Sequence, residues 1–127
     1  MNITELMVDL VSHFNAIIRN IASNHNLTAP QAFHIFLIPY DGISMSLLAH
    51  KLGIDTSTIT RNIQKLEMQN IVFRNNDNYD KRISNVYLTK KGRDVLGSLE
   101  QTLQEKHNLI LDKIDIDTQE HIVSVLE

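Results

Sequence analysis

The sequence predicts a mainly α-helical fold carrying one small β-hairpin wing, and three observations predict it. Apolar residues recur at spacings of three and four up to about Gln69 and again from Val95 onward. Between Ile71 and Thr89 the period changes to alternation around a polar, turn-rich centre. Most of the helical stretches open on a residue able to cap a helix. With 127 residues and 43% hydrophobic content there is room for one domain with its own core.

The elements follow in order. Met7, Leu10, Phe14, Ile17 and Ile21 form a helical stripe, with Leu6, Val11 and Ile18 widening it. So broad an apolar face predicts burial against more than one neighbour, and a second subunit is one candidate. Thr28 caps a second helix, with Pro30 in its first turn and Gln31 completing a capping box. That helix ends at Pro39, and Tyr40-Asp41-Gly42 form a turn. Ser44 caps a third helix through Leu52; Gly53 breaks it, and Asp55 or Thr56 caps a fourth that runs to about Gln69. Residues Ile71–Asn75 and Asn85–Thr89 read as two strands with a long charged tip between them. Thr89 caps a fifth helix carrying Val95, Leu96, Leu99, Leu103, Leu109, Ile110 and Ile114. Asp117 with Glu120 makes a capping box for a short last helix.

Composition narrows the function. The absence of cysteine removes disulfides, thiolate zinc sites and thiol switches. No signal-like segment opens the chain, and the apolar run Ile35–Ile38 stops at Pro39, which predicts a cytoplasmic protein with no membrane partner. The net charge is −3, yet Arg61 to Arg93 holds eight basic residues against three acidic ones, a local +5, which leaves −8 for the rest. That asymmetry points to one segment facing a polyanion, or to a solvated basic face.

The most specific local pattern is Ala49, Gly53 and Ile59, spaced four and six apart across two short helices. A small residue at 49 permits close helix approach, Gly53 permits the turn without a Cβ clash, and Ile59 fills the angle. This is helix-turn-helix spacing, and the hairpin directly after it makes the winged form. On the fourth helix Ile59, Ile63 and Leu66 share one face, so Ser57, Thr60, Arg61 and Gln64 project from the other, able to reach bases and phosphates in a major groove. Thr58 and Lys65 join them as candidate DNA contacts, with Arg74 and Lys81 on the hairpin.

These motifs together resemble the MarR family of transcription regulators. The resemblance rests on Leu27-Thr28 through Gln31, Leu48-Ala49 through Leu52-Gly53, Ser57–Arg61 with Leu66-Glu67, Asp80-Lys81-Arg82, and Leu88-Thr89 through Gly92, and it covers nearly the whole chain. It implies a single domain over 1–127: a winged helix-turn-helix lobe over about 28–92, with dimerisation helices over about 1–24 and 93–127. It implies that Arg82 enters a minor groove while Asp80 holds its guanidinium. It also implies a homodimer that reads a roughly palindromic operator in double-stranded DNA, as a repressor released by a small-molecule effector. Phe14, Phe33, Phe36 and Tyr40 supply an aromatic lining for that effector. Two departures stand out. Asn70 occupies the usual glycine position before the first wing strand, and the last helix stops at Glu127, which predicts a smaller dimer interface.

Other functions are weighed against this reading. No nucleophile elbow, phosphate-binding glycine loop or His-Glu-x-x-His motif is present, and only four glycines, so no enzyme and no cofactor are expected. Six histidines raise metal-responsive regulation as an alternative, with His34 and His107 the first to test, although no His-x-x-x-His pair occurs. Asp115-Ile116-Asp117 lacks the glycine and terminal glutamate of a calcium loop, and no metal site is expected. A winged-helix dimer that binds a protein instead of DNA is the remaining alternative.

Overall fold

The computed structural model describes residues 2–127. Its helices are α1 (Ile3–Ser23), α2 (Ala29–Leu37), α3 (Met45–Leu52), α4 (Thr56–Met68), α5 (Lys90–Leu111) and α6 (Ile116–Leu126); its strands are β1 (Ile43–Ser44), β2 (Val72–Asn76) and β3 (Ser84–Leu88). The hairpin expected from alternation is there, but as part of a three-stranded antiparallel sheet of order β1-β3-β2. The added strand β1 pairs Ile43 with Val86 and Ser44 with Asn85, so the wing is fixed to the segment that starts α3.

Local chemistry sets the helix starts. Thr28 and Gln31 exchange side-chain and backbone hydrogen bonds as a capping box, and Ser44 Oγ accepts from Leu47 N at 3.1 Å. Asp55, not Thr56, caps α4 and accepts from Thr58 N at 2.7 Å. Likewise Asp115, not Asp117, caps α6: its carboxylate takes both the amide and the hydroxyl of Thr118, and Asp117 falls inside the first turn. Ile114 then lies in the turn between α5 and α6 and outside the helix. Gly53 ends α3 with φ +66°, and an added Cβ there meets no atom within 4 Å. Its requirement is therefore the left-handed backbone and not space. Asn70 makes the same kind of turn at φ 59°, in keeping with asparagine's tolerance of that region.

The core gathers Ile18 and Ile21 from α1, Ile35 from α2, Leu48 from α3, Ile59, Ile63 and Leu66 from α4, Val86 from β3 and Leu99 from α5, all essentially inaccessible. Ala49 and Ile59 are buried at the α3–α4 angle as their spacing requires. One hydroxyl joins the wing to α5. Thr89 Oγ1 accepts from Gly92 N at 2.9 Å and lies within donor range of the Asn70 and Ile71 carbonyls, at 2.7 and 3.1 Å. Thr89 N adds a bond to Ile71 O at 2.9 Å.

The outer half of α1 and all of α6 behave differently. Ile3, Leu6, Met7, Val8, Leu10 and Val11 are each more than half exposed, and no residue of α6 is buried. Only the inner half of the broad α1 stripe is covered within one chain.

Candidate nucleic-acid interface

Because α3 and α4 meet over Ala49 and Ile59, α4 turns its apolar side inward. Ser57, Arg61, Gln64 and Lys65 are exposed on its outer side. Thr60 sits beside them half-buried, its hydroxyl donating to Thr56 O at 2.8 Å. Thr58 does not join this face. It turns toward α2 and lines a hollow of about 590 Å³ with His34, Lys51 and Asn62. Met68, four residues beyond Gln64 and 86% exposed, extends the outer face; an apolar side chain gives no signal in a sequence for reach to bases or phosphates.

The wing contributes the second cluster. Asp80 accepts from Arg82 Nε at 3.0 Å and from Arg82 Nη2 at 2.8 Å, a two-point pair, and also from Arg82 N at 3.0 Å. These bonds hold the Asp80 carboxyl below the usual carboxylate range and strengthen protonation of the guanidinium. Yet the Arg82 side chain is 90% exposed, so it is aimed without being covered. Lys81 is exposed beside it. Arg74 is not a free cation: its Nε lies 2.8 Å from Glu67 Oε1 of α4, and both side chains are about two-thirds covered. The pair ties β2 to α4.

Asp77 lies in the same loop as Asp80, one of the three acidic residues between Arg61 and Arg93. Its carboxylate accepts from Tyr79 N and Asp80 N, each at 3.0 Å, and from Asn85 Nδ2 at 3.1 Å. Those bonds, the Asp80 amide first among them, hold its pKa below the ordinary aspartate value. A turn-forming Asp at this place in the Asn75–Tyr79 run was the available signal.

The four aromatic residues expected to line an effector crevice are only half brought together. Phe14 and Phe33 lie 6.2 Å apart at a groove of about 650 Å³ formed by α1, α2, α5 and α6, where His107 stacks on Phe14 at 6.1 Å. Phe36 is packed against the core away from the groove, and Tyr40 is 90% exposed in the turn after α2. Tyr40 follows the end of its helix at Leu37, so helical spacing no longer fixes its direction.

The two histidines singled out for metal binding have other partners. His34 is buried. Its Nδ1 faces Pro30 O, a pure acceptor, so that nitrogen carries the hydrogen, and Nε2 then accepts from Asn62 Nδ2 at 3.2 Å. Among the described residues no group of three His, Cys, Asp or Glu side chains is placed to hold a metal ion. Burial lowers the His34 pKa from its usual 6.5. The unfolded chain therefore takes up a proton first as pH falls, and the stability held by neutral His34 is present above pH 6.5 and lost below it. Thermal melts are expected to drop between pH 6.5 and 5 (~1.5 units) more steeply for the parent than for His34→Gln, and equal slopes would remove His34 as the cause.

Comparison with known proteins places this geometry. A model described as "MarR family" matches residues 27–84. The HTH-type transcriptional regulator TtmR of Methylorubrum extorquens (strain PA1) is 30% identical over 88 residues, 68% of this chain and 45% of that protein. The uncharacterized HTH-type transcriptional regulator YdgJ of Bacillus subtilis (strain 168) is 30% identical over 86 residues, 68% of this chain and 52% of that protein. The chain thus spans about half the length of the curated relatives it matches. Among solved structures, apo MarR from E. coli superposes with TM-score 0.84 at 21% identity, covering 99% of this chain and 96% of that one. The S. aureus MepR–DNA complex gives TM-score 0.80 at 16% identity, covering 99% and 94%. At these identities the structures establish the shared fold.

Proposed function

Because the chain belongs to the MarR family of winged helix-turn-helix regulators, we propose that it binds double-stranded DNA sequence-specifically and regulates transcription as a homodimer. The observation that carries this reading is the wing tip, where Asp80 grips Arg82 at two points while leaving its guanidinium open to solvent. A pre-aimed arginine suits a narrow minor groove, where negative potential is concentrated. Ser57, Arg61, Gln64 and Lys65 on α4 would meanwhile lie in the adjacent major groove. MepR, whose fold this chain shares, is solved with DNA.

The homodimer reading is supported by the uncovered apolar faces of α1 and α6, with Ile3, Leu10, Ile116 and Leu126 among the exposed residues. In this division residues of about 28–92 read DNA, while about 1–24 and 93–127 join the two copies. A two-fold dimer sets two recognition helices roughly one helical turn apart, about 10 bp, and calls for an inverted-repeat operator. Within the proposal the protein is a cytoplasmic repressor, released when an apolar, aromatic effector enters the groove at Phe14, Phe33 and His107 and favours one lobe spacing over another. No helix among the described residues is long and apolar enough to cross a membrane.

Selection of bound sequences from a random duplex library, followed by titration at rising salt, tests the reading. The expected result is an enriched inverted repeat whose affinity falls steeply with salt. No duplex binding at low salt would overturn it and favour a protein partner.

A further inference from the structure

Asp77 uses both carboxylate oxygens within the wing tip. One carboxylate gathers the Tyr79 and Asp80 amides on Oδ2 and the Asn85 side chain of β3 on Oδ1. The backbone closes the same ring, with Asp77 N bonded to Ile83 O at 2.8 Å and Ile83 N to Asp80 O at 3.0 Å. Asp80 is thereby fixed through its own amide by Asp77, and Asp80 in turn fixes Arg82. The charges in this loop are Asp77, Asp80, Lys81 and Arg82; Asn85, which reaches in from β3, is uncharged.

We propose that Asp77 is a positioning residue for DNA binding: it orients Asp80, which aims Arg82, and so raises affinity for a polyanion although it is itself an anion. The inference rests on the DNA-binding reading above. Its force lies in a sign. By charge alone, removing Asp77 strengthens attraction to phosphate. By position, removing it releases the Asp80 amide, loosens the Asp80–Arg82 pair and weakens binding.

The test is a double-mutant cycle with the full chain, titrating the parent, Asp77→Ala, Arg82→Ala and the double variant against one A·T-rich duplex at low salt. Asp77→Ala is expected to weaken binding by about tenfold, approaching Arg82→Ala, and the double variant to bind no more weakly than Arg82→Ala alone. Asp77→Asn, which loses the charge but keeps one acceptor oxygen, should fall between parent and Asp77→Ala. It carries the comparison if the alanine variant folds poorly. Amide exchange at Tyr79 and Asp80 should quicken in Asp77→Ala. Unchanged or tighter binding by both Asp77 variants, additive effects in the cycle, or unmoved exchange at those amides would overturn the proposal. The parent and Arg82→Ala separate the two levels. If the parent binds no duplex, the DNA-binding reading falls and the inference falls with it. If the parent binds and only Arg82→Ala weakens it, the inference alone falls.

Discussion

Arg82→Ala is expected to reduce affinity for duplex DNA by about tenfold to a hundredfold, as befits loss of a two-point-oriented arginine. Its salt dependence should flatten by about one unit of slope per wing, two per dimer, because each guanidinium no longer displaces a counterion. Oligomeric state should not change, since the side chain is 90% exposed and, among the described residues, is bonded to Asp80 alone within its own loop. Fluorescence anisotropy over a salt series, with sizing chromatography beside it, measures both. Arg82→Lys is expected to recover the salt slope but not the affinity, because an ammonium cannot keep the planar two-point bond to Asp80. An alanine variant that binds like the parent removes the wing from the interface.

The second large effect concerns stability. An alanine Cβ at Gly92 would stand 2.1 Å from Ile71 O and 3.3 Å from Leu88 Cδ2. Ile71 O cannot retreat freely, since it accepts from Thr89 N and lies within reach of the Thr89 hydroxyl. Gly92→Ala should therefore cost about 3 kcal/mol, at or above the upper end for overpacking, and lower the melting temperature by about 10 °C. Gly97, five residues further along α5, has no atom within 4 Å of an added Cβ. Gly97→Ala should stabilise the helix by about 0.5–1 kcal/mol. Two identical substitutions on one helix with opposite signs separate close backbone approach from helix propensity. Equal melting shifts for the two would contradict the packing at Ile71.

Sequence patterns located the features whose chemistry is local. Capping by Thr28, Ser44 and Thr89 depends on residues three apart, and the Asp80–Arg82 pair on residues two apart, so each could be read directly. The choice between Asp115 and Asp117 could not, because both can cap and the decision lies in the doubled bond to Thr118. The strand β1 has two residues, too few for any period to register, and its partner β3 begins forty positions later. Arg74 read as a free cation because its attachment to Glu67 joins a helix to a strand across the turn at Asn70. Asp77 was hidden among Asn75, Asn76 and Asn78, and what distinguishes it is a cross-strand bond to Asn85. The aromatic set expected at the groove divides for a similar reason. Phe14 and Phe33 meet there through the crossing of two helices, whereas Phe36 turns toward the core and Tyr40 toward water.

The Thr89 hydroxyl draws the two ends of the wing to one spot, between the carbonyls of Asn70 and Ile71 and the amide of Gly92. Seen from the body of the molecule, the wing is a cassette whose two ends meet at one clasp. Outboard of it, β1 pairs with the hairpin at Val86 and Asn85 and Glu67 of α4 meets Arg74 of β2, whereas among the described residues the stretch from Asn76 to Ser84 has no strand partner beyond the hairpin itself. Exposed loop tips tolerate exchange, so longer, shorter or differently charged tips are expected there without resetting α5 or its packing. On the proposed DNA-binding reading, groove preference is then set by one short segment, and the clasp is what makes that segment portable.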